Sequence, residues 1–271
     1  ITSSEIIEPN GLSANVVAES MVSCSGMADG EASAVASGGT EPYTYSWSNG
    51  AETATLNGLE GGMYTVTITD SNGCSDEASV EITESAVLVA SAFVEADASC
   101  NGLTDGLASA SVEGGSAPYT YSWSNGDETE IASELAAGTY TVTVTDINGC
   151  SDQASIEINE PAELQASAEA VALVSCNGLF DGVAAASAEG GTAPYSYSWS
   201  NGAETASVED LGAGTYTVDI IDANGCFSES SVDITEPLLL EPVAFVTGMV
   251  SCNGLEDGGA SVSISGGTQP Y

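Results

Sequence analysis

Pro118-Tyr-Thr-Tyr-Ser-Trp-Ser-Asn-Gly126 and Gly138-Thr-Tyr-Thr-Val-Thr-Val-Thr-Asp-Ile-Asn-Gly-Cys150 decide how this chain is read. In the first stretch Tyr119, Tyr121 and Trp123 alternate with Thr120, Ser122 and Ser124. In the second, Tyr140, Val142 and Val144 alternate with Thr141, Thr143 and Thr145. A period of two puts the large apolar groups on one face of a strand and the hydroxyls on the other. Both stretches recur, the first at Pro42 to Gly50 and Pro194 to Gly202, the second at Gly62 to Cys74 and Gly214 to Cys226. The cysteines set the period: Cys24, Cys100, Cys176 and Cys252 are spaced by 76 residues, as are Cys74, Cys150 and Cys226. A fixed period of this size marks a tandem array.

Working outward through the middle copy, Leu88 to Ser99 reads as a first strand. Cys100-Asn-Gly-Leu-Thr-Asp-Gly106 reads as a turn, because Asn-Gly and Asp-Gly supply left-handed backbone at low cost. Ala108, Ala110 and Val112 alternate with polar residues in a second strand. The Tyr119–Trp123 strand, a weaker strand over Glu130 to Leu135, and the Tyr140–Val144 strand follow. Asp146-Ile-Asn-Gly149 is a hairpin turn. Ala154, Ile156 and Ile158 face inward from the last strand, which Glu160-Pro161 stops. Short strands punctuated by turns, with no helical periodicity, predict an all-β chain of β-sandwiches. The expected divisions are 1–11 (the last strand of a preceding copy), 12–85, 86–161, 162–237 and 238–271 (the start of a following copy). Both ends therefore fall inside a copy, and a window onto a longer array is expected. Proline at the short joints, Pro161 and Pro237, fixes φ and stiffens them, giving an elongated rod of beads. The first joint has Ser85 instead.

The chain has 40 acidic residues and no Lys, Arg or His. Nucleic acid is excluded as a partner, since nothing basic meets a phosphate. The commonest general base and the Schiff-base amine are absent too, and no copy carries a specialised loop, so the chain is not read as an enzyme. The net charge of −40 repels itself and must be screened by salt, divalent cations or a partner. A hydrophobic fraction of 42% and clean alternation argue against disorder. No apolar run is long enough to span a membrane. The cysteines lie outside any C-x-x-C arrangement, and there is no His to complete a zinc site. They read as a disulfide framework in an oxidising, extracellular setting.

The recurring Ser-Cys-Asn-Gly-x-x-Asp-Gly, Gly-Gly-x-x-Pro-Tyr-x-Tyr-x-Trp-Ser-Asn-Gly, Gly-Thr-Tyr-Thr-Val-x-x-x-Asp-x-Asn-Gly-Cys and Ile-x-Glu-Pro together resemble the SprB-type repeat. The resemblance covers essentially the whole chain. It implies an immunoglobulin- or PKD-like sandwich in a large cell-surface or secreted protein of Bacteroidetes-type bacteria, a group that includes the adhesin of gliding motility. Ser25 departs from the motif, standing where the other copies have Asn101, Asn177 and Asn253.

Several constellations are candidates for function. Trp47, Trp123 and Trp199 are read as core rather than as a sugar-stacking platform, and Tyr64, Tyr140 and Tyr216 as core or corner residues. The threonine rows beginning at Thr65 and Thr141 are read as an ordinary solvated face. Candidate calcium ligands are Asp70, Asn72, Asp146, Asn148, Asp222 and Asn224 in the Asp-x-Asn-Gly turns, and Asp29, Asp105 and Asp181 in the Asp-Gly turns. Glu84, Glu160 and Glu236 at the joints, with Glu8, are expected to approach the Asp-x-Asn-Gly turn of the copy that follows. Cysteine pairing has two solutions. Cys24–Cys74, Cys100–Cys150 and Cys176–Cys226 lie within copies. Yet the two cysteine turns of a sandwich belong at opposite ends, about 26 Å apart along an eight-residue strand. A disulfide needs Cα atoms within about 7 Å. That favours Cys24–Cys150 and Cys100–Cys226 across joints, while the within-copy pairing requires a short or displaced first strand. The odd total of seven, with Cys252 left over, is expected of a window cut inside a copy. The chain is thus expected to be a structural stretch of an extracellular filament or adhesin that associates with copies of itself or adjoining repeats. Alternatives are a surface-polysaccharide-binding array and a passive spacer for a distal domain.

Overall fold

A computed structural model describes residues 10–271; the preceding-copy strand expected over 1–11, with Glu8, lies almost wholly outside the described residues. The described chain is β-strand, turn and loop. No helix in it is long and apolar enough to cross a membrane. Contacts divide it into two compact units, one running to Ala96 and resuming over Leu107–Ile158, the other Asp97–Gly106 with Asn159–Tyr271.

The first unit holds two sandwiches. Strands β1 (Ser13–Ser20), β2 (Gly30–Ser37) and β4 (Thr55–Leu59) form one sheet, in that order, and β3 (Thr44–Trp47), β5 (Gly62–Thr69) and β6 (Ser75–Ile82) form the other. The arrangement repeats with β7 (Val89–Ala96), β8 (Gly106–Glu113) and β10 (Ile131–Leu135) against β9 (Thr120–Trp123), β11 (Gly138–Thr145) and β12 (Ser151–Ile158). The outer and hairpin pairs β1–β2, β5–β6, β7–β8 and β11–β12 are antiparallel, with β11 opposing β12 so that Val142 faces Ala154 and Thr143 faces Gln153. The inward faces are those the alternation assigns. Ala108, Ala110, Trp123, Leu135, Val142, Val144 and Ile158 make one core, and Ala32, Ala34, Trp47, Leu59, Val66, Ile68 and Ile82 make the other. These are tandem immunoglobulin-like β-sandwiches.

In the second unit β13 (Gln165–Ala172), β14 (Gly182–Glu189) and β16 (Ser207–Leu211) face β15 (Ser196–Trp199), β17 (Gly214–Ile221) and β18 (Phe227–Ile234). Trp199, Val218, Ile220 and Ile234 centre its core. A further two-stranded sheet, β19 (Glu241–Gly248) with β20 (Gly259–Ser265), completes the unit.

Two features position the turns described below. The first strand of each sandwich packs beside the last, running the same way. Val22 bridges Glu84 in parallel, and the Ala90 N–H donates to Asp152 Oδ2 at 2.9 Å. The loop after the second strand folds back through a Gly-Gly pair. Gly114 and Gly115 have φ of 70° and 61°. A Cβ on Gly114 would collide with the Val87 carbonyl oxygen, so only glycine fits this left-handed, crowded position. The loop ends in a cis peptide at Ala117–Pro118, as its counterparts do at Glu41–Pro42 and Ala193–Pro194.

Candidate functional site

The residues with the most unusual surroundings build the two cysteine turns. Asp70, Asp146 and Asp222 are the buried charged side chains among the described residues, each 6% exposed. The sequence offers no Lys, Arg or His to pair with them, and backbone N–H groups hydrogen-bond them instead. Asp146 Oδ1 accepts from Asn148 N and Cys150 N, and Oδ2 from Ser116 N, all at 2.9 Å. Asp70 makes the same three bonds with Asn72, Cys74 and Thr40, and Asp222 with Asn224, Cys226 and Thr192. Each aspartate thereby stitches the hairpin turn to the Gly-Gly loop and fixes the backbone of the cysteine four residues on. At Asp70 the Cys74 N–H is the main cause of a carboxyl held below the usual range, helped by Thr40 and Asn72 and opposed by burial. At Asp222 burial pushes upward, but the N–H groups of Thr192, Cys226 and Asn224 together outweigh it.

The other cysteine turn is held from two sides. Ser99 donates its N–H to Asp105 Oδ1 at 2.9 Å and its hydroxyl to Oδ2, and Ser23 with Asp29 and Ser175 with Asp181 repeat the pair. The serine hydroxyl, then its N–H, lowers the carboxyls of Asp29, Asp105 and Asp181. From the other side Glu160 Oε2 accepts from Gly102 N at 2.7 Å and Oε1 from Asn101 Nδ2 at 3.0 Å. Glu236 does the same with Gly178 and Asn177. Glu84 accepts from Gly26 N at 3.0 Å, and Ser25, lacking a side-chain amide, leaves that turn one donor short of its counterparts.

The joint glutamates hydrogen-bond the Cys-x-Gly turn of their own copy, and at Glu160 that turn is the one tied through Cys100–Cys226 to the Asp-x-Asn-Gly-Cys turn of the following copy. The reason is strand direction. Because the first and last strands run in parallel, the last strand ends beside the turn that follows the first. The carboxylates considered as calcium ligands are distributed over separate turns, each engaged by N–H or O–H donors. Among the described residues no three of His, Cys, Asp and Glu converge as a metal-ligand set. Asn72 and Asn148 donate Nδ2 to Thr40 Oγ1 and Ser85 Oγ, and Asn224 to the Ser99 carbonyl.

The cysteines pair across joints. Cys24 bonds to Cys150 with a Cα separation of 5.6 Å, inside the first unit. Cys100 bonds to Cys226 at 5.7 Å, inside the second. Cys74, Cys176 and Cys252 are free and exposed. Each bond joins the turn after one sandwich's first strand to the last hairpin turn of the next. Cys100, Cys226 and Glu160 all lie in the second unit with the Asp97–Gly106 segment.

Trp47, Trp123 and Trp199 are each 3% exposed, and Trp123 Nε1 donates to the Thr129 carbonyl at 3.0 Å. Tyr64, Tyr140 and Tyr216 are half-buried and donate to the carbonyls of Glu60, Ala136 and Gly212. The threonine rows are tied into their own sheets, Thr65 to Ser79 and Thr141 to Ser155 at 2.8 Å. Sequence reasoning missed the serine partners and the Gly-Gly-loop N–H donors. A signal existed for the first, since Ser and Asp six residues apart recur as Ser23/Asp29, Ser99/Asp105, Ser175/Asp181 and Ser251/Asp257.

The lowered aspartates predict a pH profile. Their contribution is complete above the unfolded aspartate value of about 3.9 and is lost as pH falls through the lower folded values. Self-repulsion works the other way, easing as carboxylates protonate. The denaturant midpoint is therefore expected to rise from pH 7 toward about pH 4 and to fall below it, where the turn aspartates titrate. A midpoint that kept rising below that pH would show that the turn bonds contribute little.

The SprB repeat model matches residues 22–52, 92–128, 169–204 and 247–271. No curated protein matches the chain. Solved structures that are similar include the N-terminal eight immunoglobulin domains of Down syndrome cell adhesion molecule. The identity is 12% and the TM-score 0.31, over 89% of this chain and 49% of that one. The protocadherin gamma B4 extracellular domain matches at 15% identity and TM-score 0.31, over 90% of this chain and 53% of that one. The C-terminal fragment of intimin matches at 13% and 0.29, over 87% and 67%. This chain thus spans about half the length of the first two. At these scores the fold rests on the strand pairing above.

Proposed function

We propose that this chain, a tandem array of SprB repeats, is a tension-bearing structural segment of an extracellular, adhesin-type surface protein. The observation that carries the reading is the placement of the disulfides. They join one sandwich to the next, whereas a bond serving only the fold of one sandwich would lie inside it. Two disulfides also suit an oxidising, extracellular compartment. Such a segment sets reach and carries load, and does no chemistry. Sugar recognition is the competing reading. Against it stands the burial of all three tryptophans, which leaves their faces unavailable for stacking.

The test is a fusion with a surface anchor at one end and an epitope at the other. Deleting one 76-residue repeat is expected to bring the epitope closer to the cell while binding to a polysaccharide panel stays absent. Polysaccharide binding that disappears with the deleted repeat would replace the structural reading with the binding one.

The acidic coat, in this reading, keeps the array soluble and takes up cations as a diffuse atmosphere. Sodium chloride is expected to raise the melting temperature, and calcium chloride at matched ionic strength to raise it equally, because screening depends on ionic strength. A rise specific to calcium would assign ions to defined carboxylates and make calcium a structural component.

A further inference from the structure

The two disulfides interlock along the chain. Cys24–Cys150 closes a loop containing Cys100, and Cys100–Cys226 closes a loop containing Cys150. We infer that together they form an extension stop: a covalent limit on how far the chain lengthens when its sandwiches unfold under tension, removable by a dithiol reductant. The inference rests on the tension-bearing reading for its use, but the limit follows from connectivity alone.

Consider a pull on Ile1 and Tyr271. Force reaches Cys24 and crosses to Cys150. The next covalent junction is Cys100 with Cys226. Three stretches of chain connect the two junctions, namely 24–100, 100–150 and 150–226. The shortest, 100–150, becomes taut first and the other two stay slack. The taut path is the 23 steps before Cys24, the 50 between Cys100 and Cys150 and the 45 after Cys226. Only 118 of the chain's 270 residue steps can straighten.

The same connectivity chooses which strands bear load. In the reduced chain, force enters the second sandwich through β7 and leaves through β12. With the bonds closed it enters at Cys150 and leaves at Cys100, so β7 and β12 lie on the slack branches. The bonds thus shield the terminal strands of that sandwich from direct pulling. Reduction by dithiothreitol converts each disulfide to two protein thiols and the reagent to its cyclic disulfide, which removes the stop.

The experiment is single-molecule stretching of the full chain held at its two ends, with exposed Cys74, Cys176 and Cys252 changed to serine to prevent exchange. At about 3.6 Å per residue the oxidised chain is expected to reach about 440 Å and the reduced chain about 970 Å, an increase of about 2.2-fold. Adding Cys24→Ser and Cys150→Ser leaves one bond, and the oxidised length is expected to be about 520 Å. An oxidised length of about 970 Å would mean that no bond forms, and one of about 800 Å that Cys100 pairs with Cys150 within a repeat; either overturns the inference. Polysaccharide binding is measured separately and does not alter these lengths, so the failure of one reading is distinguishable from the failure of the other.

Discussion

Replacing Cys24 and Cys150 together by serine is expected to lower the unfolding free energy of the first unit by about 5 kcal/mol. The value follows from the chain-entropy cost of a loop of 126 residues. The other bond, Cys100–Cys226, offers no shorter route between the two cysteines, so it does not pre-pay this closure. Both cysteines must be changed, because a single serine leaves a free thiol able to exchange with exposed Cys74. The measurement is denaturant unfolding of the oxidised proteins, repeated with dithiothreitol. The reductant is expected to lower the midpoint of the parent chain. In the double variant it can act only through Cys100–Cys226, so a smaller shift is expected there. If the double variant unfolds within about 1 kcal/mol of the parent, the bond across the joint contributes little beyond what the sandwiches supply themselves.

Trp123→Ala is the other large effect, expected at about 3–5 kcal/mol, the range for removing a buried tryptophan. The indole is 3% exposed and touches a core of small partners, Ala108 and Ala110 beside Val142 and Val144, which cannot move in to fill the space. Its Nε1 bond to the Thr129 carbonyl is lost as well. Trp123→Phe keeps much of the volume and is expected to cost about 1–2 kcal/mol, from a smaller cavity and one unpaired carbonyl. The cores of the two sandwiches in the first unit share no residue. Hydrogen exchange is therefore expected to quicken in β7–β12 and to change little in β1–β6. Loss of protection in both would show that the sandwiches unfold as one block. A variant of normal stability that had lost polysaccharide binding would instead restore the stacking-platform role for the tryptophans.

Some of this was legible because it is local. The alternation of Tyr119, Tyr121 and Trp123 with Thr and Ser names a buried face without reference to anything else in the chain. The same holds for Val142 and Val144, since the strand's period of two is a property of its own backbone. The Gly-Gly and Asn-Gly pairs mark turns for the same reason: left-handed backbone is cheap there and costly elsewhere. The candidate site was legible only in part. Aspartates at recurring turn positions stood out in a chain without cations, and that contrast pointed to metal. The same oxygens are also good acceptors for backbone N–H groups. Which they meet depends on loops distant in sequence, such as Ser116 for Asp146 and Thr40 for Asp70.

By itself the sequence determined the repeat, its period, the strands, their inward faces and the acidic, cation-free surface, because each is carried by neighbouring residues or by simple recurrence. Only the tertiary structure decided which cysteines bond and where the joint glutamates point. Spacing does not distinguish a partner 50 residues away from one 126 away. The decision lies in the last strand running parallel to the first. That brings Glu160 onto Asn101 and Gly102. It also leaves Cys24 and Cys74 at opposite ends of their sandwich, so that the cysteine turn within reach of Cys24 is the one carrying Cys150.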